Sequence, residues 1–184
     1  MANTLLEPPF AANPPVKLNV NAKILGLVIG ILALIGAIFG GLVGGLFSLF
    51  SLAAGGFGGI WLIGILLTLV ADVIAAIGGF QMYSMNRAGK RLVIYALAIG
   101  VLASVVTAIG NIIAYSGLYV LGGYSAGGAI FGLIFGVIIY AIIYYIVVIS
   151  RWPGDVPLVA NPGGYGNPPS TGGYGSPPPP PPSA

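Results

Sequence analysis

The chain has 184 residues, of which 58% are hydrophobic and only 5% are charged, with a mean hydropathy of +1.05. Soluble domains carry roughly 25% charged residues, so this composition cannot cover a soluble globule and reads as an integral membrane protein. The absence of Cys and His excludes disulfides, thiol catalysis, thiolate or imidazole metal sites and histidine general bases.

Residues 1–23 read as a cytosolic leader rather than a cleavable signal. The segment from Met1 to Val16 carries Glu7, no Lys or Arg, and the pairs Pro8-Pro9 and Pro14-Pro15 where an apolar core belongs. Four apolar runs follow, at about 24–53, 60–83, 92–121 and 129–150. Each matches the roughly 20 residues a helix needs to cross the hydrocarbon core. The runs are continuous rather than alternating, so helices are expected and not barrel strands. Gly-rich stretches, 54–59 and 122–128, separate the first from the second and the third from the fourth. The expected fold is an all-α integral membrane four-transmembrane-helix bundle. The first and third runs are longer than the others, and Phe47 to Ser51 suits an interfacial extension on the outer side.

The six basic residues are Lys17, Lys23, Arg87, Lys90, Arg91 and Arg151. With four spans, all of them fall on one side, and the positive-inside rule makes that side cytoplasmic, with both termini inside. Lys23, Arg87, Lys90, Arg91 and Arg151 are expected to set topology and to touch anionic headgroups of the bilayer. Gly-Lys-Arg at 89–91 lacks the context of a nucleotide motif. The bases are too few and too close to the membrane for nucleic acid. Trp61, Tyr115, Tyr119 and Tyr124 fit the outer aromatic belt; Tyr83, Tyr95 and Trp152 fit the inner one.

Small residues at four-residue spacing let helix backbones approach closely in lipid. Gly36, Gly40 and Gly44, with Gly41 and Gly45 beside them, form such a pattern in the first span, extended by Gly26 and Gly30; Gly132 and Gly136 form one in the fourth. Packing within the bundle is the plain expectation. Lateral contact with a second copy or with a partner subunit is the sharper one. The boundary signals of the two hairpins, Lys23 and Arg91, Gly58 and Gly127, are offset by 68 and 69 residues, the spacing a 2+2 duplication would give, though the halves share little residue identity.

Asp72 is the one acid inside a span, about twelve residues from either end. A central Asp costs on the order of 2.5–3.5 kcal/mol on insertion scales and marks a functional site by default. No Lys or Arg of this chain lies at that depth. Thr68, Ser104, Thr107 and Tyr140 are the hydroxyls near it, as hydrogen-bond partners of a neutral carboxyl. Three roles stay open for Asp72: helix glue, an ion pair with a basic residue of a partner, or a proton or cation site. Asn111 reads as helix glue.

Residues 153–184 form a Pro/Gly/Tyr-rich segment that lacks the apolar content for a core and is expected to be disordered and cytosolic. Its Gly-Gly-Tyr-Gly unit recurs after nine residues. The plain reading is a flexible tail. The functional one is docking of a polyproline-binding cytosolic partner on Pro177, Pro178, Pro179, Pro180, Pro181 and Pro182. No cofactor or metal is expected, and no base, nucleophile pair or ligand set supports an enzyme. The layout resembles several unrelated tetraspan groups in outline only. The expected role is a non-enzymatic accessory, assembly or scaffold subunit; the alternative is a small oligomeric transporter or channel centred on Asp72.

Overall fold

The computed structural model describes residues 5–6, 8–11, 13–53, 59–115 and 122–155. It is all-helical, with four helices long and apolar enough to cross a membrane, Ala22–Phe50, Gly59–Tyr83, Ala88–Ile113 and Ala126–Ile149. Four apolar helices make this a multi-pass membrane protein by composition. The tail from 156 to 184, with the prolines 177–182 expected to dock a partner, lies outside the described residues.

A short 3-10 turn, Pro9–Ala11, precedes α1 (Ala22–Gly36), whose first turn is capped by the Asn21 side chain accepting from the Lys23 N–H. The first span is not a uniform helix. A π-helical segment, Ala37–Val43, separates α1 from α2 (Gly44–Ala53), with the Gly44 N–H reaching back five residues to the Phe39 carbonyl. Gly40-Gly41 lies within this segment, where missing side chains ease the wider turn. α3 (Gly59–Tyr83) ends at a tight turn in which Met85 adopts a positive φ of 64°. The Asn86 N–H bonds to the Gln81 carbonyl there. Asn86 then caps α4 (Ala88–Tyr115) by accepting from the Ala88 N–H at 2.9 Å. That cap starts the helix three residues before Arg91, so Lys90 and Arg91 belong to its first turn rather than preceding it. α5 runs Gly122–Ile149. It therefore begins inside the glycine stretch expected to break the chain. A helix keeps every backbone group bonded within its own segment, a premium in lipid that outweighs glycine's weak propensity.

The spans pack on one another in the order α1, α3, α4, α5, and the first and last meet again at one end. α3 packs against α1 on one side and α4 on the other, and α5 packs on α4. The close seams are built on glycine. At α1/α3, Gly26, Gly30 and Gly79 meet: a Cβ on Gly79 would lie 2.6 Å from the Gly26 carbonyl oxygen and 2.7 Å from the Gly30 Cα. At α3/α4, Gly78 lies against Gly89 and Val93, and Gly64 against Thr107.

All the basic segments converge at one end. Arg151 and Asn21 form a short parallel bridge, with Ala22 N–H donating to the Arg151 carbonyl at 2.8 Å and Arg151 N–H to the Val20 carbonyl at 2.9 Å. Lys90 Nζ donates to the Val148 and Ser150 carbonyls at 2.7 and 3.2 Å, supplying donors to the open end of α5. A packed cluster of Ala22, Met82, Val93, Ile94, Val147 and Val148 fills this end. The leader joins it, which its polar and proline-rich sequence did not suggest. Phe10 stacks on Tyr145 at 5.7 Å and meets Tyr144 edge-on at 6.4 Å. The Tyr145 hydroxyl donates to the Val16 carbonyl and accepts from the Val16 N–H.

Candidate functional site

α3 carries Asp72 near its midpoint, facing the first span where the π-helical segment begins. The carboxyl lies against Gly36: a Cβ there would be 2.7 Å from Oδ2. Only glycine leaves this room without moving the acid. Away from the base-bearing end, α1 and α5 make no substantial contact among the described residues, and a cavity of about 200 Å³ lies between them. Ile29, Leu32 and Ala33 form its α1 wall, Tyr140 and Ile143 its α5 wall, and α3 presents Asp72 from behind. Asp72 is half-buried there, and among the described residues no group donates a hydrogen bond to its carboxyl. In so apolar a setting a carboxyl without a donor is costly.

Tyr140 divides this cleft from a second cavity of about 330 Å³, lined by Thr68, Ser104, Thr107, Asn111, Gly132 and Tyr140 itself. The five polar residues expected together thus line two adjoining spaces that share Tyr140. Its ring lies over Gly100, where a Cβ would be 2.9 Å from Cζ and from the hydroxyl oxygen. Its hydroxyl sits beside Ser104 and within electrostatic reach of Asp72. The threonine and serine hydroxyls are not Asp72 partners. Thr68 donates to the Gly64 carbonyl at 3.0 Å and Ser104 to the Gly100 carbonyl at 2.9 Å, each back into its own helix.

The glycines expected to form packing faces divide sharply. Gly36 admits Asp72 and Gly41 admits Leu69, while Gly44 and Gly45 touch Ile65 only at ordinary contact distance and Gly136 barely reaches Ser104. Among the described residues, Gly40 and Gly132 meet nothing within 4 Å. Gly26 and Gly30, expected on the same face, do form a tight seam, against Gly79, and Gly78, Gly89 and Gly64 build the other tight approaches; the adjacent pair Gly78-Gly79 opens two faces of one helix at the same level, one toward α1 and one toward α4.

The bases expected to touch headgroups group around a third cavity, of about 370 Å³, at the converged end, where Arg87, Lys90, Arg91 and Arg151 are joined by Asp155. Lys23 lies elsewhere at that end, its ammonium 5.2 Å from the centre of the Tyr83 ring. No protein-family model, curated protein or solved structure matches the chain.

Proposed function

We propose that the chain is a small non-enzymatic tetraspan protein, with both termini cytoplasmic, that serves as an accessory, assembly or scaffold subunit of a membrane complex. The observation that supports this reading is the cleft between α1 and α5: apolar walls, open between two helices, and an Asp72 carboxyl with no donor among the described residues. Its occupant is a transmembrane helix of a partner subunit carrying a Lys or Arg at mid-depth, since charge complementarity lowers the cost of leaving Asp72 in lipid. The exposed Gly40 face offers a second lateral surface, and the Pro-rich tail a cytosolic tether.

The test is purification in mild detergent, with Asp72→Asn alongside. A stoichiometric membrane partner that is lost with Asp72→Asn supports the subunit reading; a lone monomer of unchanged abundance in both refutes it. The second reading, a small oligomeric transporter or channel using Asp72 as proton or cation site, is favoured by the hydroxyl-lined cavity across Tyr140. A homo-oligomer whose proton-dependent flux, but not abundance, is lost with Asp72→Asn would select it.

A further inference from the structure

We propose that the converged end of the bundle holds a site for one phosphate-bearing anion, with the headgroup of an anionic lipid and free phosphate as its two sources. This stands apart from the subunit reading and from Asp72. Four cationic side chains surround the 370 Å³ cavity there, against one acid, Asp155. The charge is arranged in depth. Lys90 and Arg151 are partly buried, while Arg87 and Arg91 are exposed.

Two donors in this set have capacity to spare. Lys90 spends two of its three N–H groups on the Val148 and Ser150 carbonyls. Arg151 Nε is fully buried with no acceptor among the described residues, although buried guanidinium donors nearly always have one. The backbone of Arg151 is pinned by its bonds to Val20 and Ala22, which anchors the root of its side chain at the cavity wall. At the rim, Arg87 makes only a loose ion pair with Asp155, 3.8 Å long, and is 79% exposed. Its planar fork can turn onto a tetrahedral oxyanion, for which guanidinium geometry is suited.

The remaining walls point to a lipid as well as to phosphate. Leu6, Ile94, Val148 and Trp152 line the same cavity, which sits where the spans end. Tryptophan belongs at headgroup depth, and basic pockets between membrane helices are suited to anionic headgroups.

Trp152 also reports on the site. The chain has two tryptophans, so a Trp61→Phe background leaves Trp152 as the one fluorophore of its kind. Protein in phosphatidylcholine micelles is titrated with phosphatidic acid carrying brominated chains. The expected result is saturable quenching at low mole fraction, absent with brominated phosphatidylcholine. Arg87→Gln with Arg91→Gln, both at exposed positions, weakens it by about tenfold, the loss of a charge-assisted contact. Millimolar inorganic phosphate that relieves quenching identifies free phosphate as a competent source. Quenching indifferent to it identifies the lipid. Equal quenching by both brominated lipids, or an unchanged titration in the double variant with its fold intact by circular dichroism, overturns the proposal.

Discussion

Gly79→Ala is the sharpest test of the glycine seam between α1 and α3. The added methyl would lie 2.5 Å from the Gly30 nitrogen, 2.6 Å from the Gly26 carbonyl oxygen and 2.7 Å from the Gly30 Cα. All three are backbone atoms, so no side chain can rotate away. The helices must part locally by roughly 1 Å, and a gap of that order forfeits about a quarter to a half of each dispersion contact across it. Between membrane helices these contacts are the main attraction, because lipid is as apolar as the side chains. Overpacking of this kind costs about 1–3 kcal/mol, offset by roughly 0.5–1 kcal/mol from the better helix propensity of alanine. The expected net loss is about 1–2 kcal/mol. Gly40→Ala is the matched control, since none of the described residues lies within 4 Å of its added methyl; it should be neutral or slightly stabilising. Unfolding midpoints in mixed micelles measure both. A Gly79→Ala protein that unfolds no earlier than Gly40→Ala refutes the reasoning.

Lys90→Met removes both donors to the end of α5 and should lower stability by about 2 kcal/mol, as bonds to charged groups do, whereas Arg91→Met at the exposed rim changes it little; equal midpoints for the two contradict the capping role. Gly100→Ala drives a methyl into the Tyr140 ring, and a double-mutant cycle with Tyr140→Ala should give a coupling of at least about 0.5 kcal/mol, whereas none means that the ring does not rest there. Gly40→Ile leaves monomer unfolding unchanged but weakens lateral assembly in crosslinking, and an unaltered oligomer profile removes that face as an assembly surface.

Much of this architecture was legible because lipid imposes simple rules. The runs after Lys23 and Arg91 are long and uncharged, which fixes the number of spans. The bases of the three flanking segments do share one end, where Arg151 pairs with Asn21 and Lys90 reaches the end of α5. Asp72 stood out because it is the one charge that topology leaves over. What the chain concealed depends on three-dimensional approach. Spacing marks Gly40 and passes over Gly79, yet among the described residues the first meets nothing within 4 Å and the second meets backbone. Nothing in the leader's sequence singles out Leu6 or Phe10, and only the fold packs both against the cluster at this end and brings Phe10 to Tyr144 and Tyr145. The π-helical segment at Ala37–Val43 has no period of its own in an all-apolar stretch, and the start of α5 at Gly122 overrides a local glycine signal that is decisive in water.

The most direct test of the partner seat uses the absence of native cysteine. Leu32→Cys and Ile143→Cys place single thiols on the two walls of the Asp72 cleft, and Phe131→Cys places one on an exposed part of α5 outside it. After crosslinking in native membranes, both cleft positions should join the same second polypeptide, through a membrane helix that bears a Lys or Arg near its centre. Asp72→Asn should abolish those products. Crosslinks that form equally from Phe131→Cys, or that persist unchanged with Asp72→Asn, would contradict the seat.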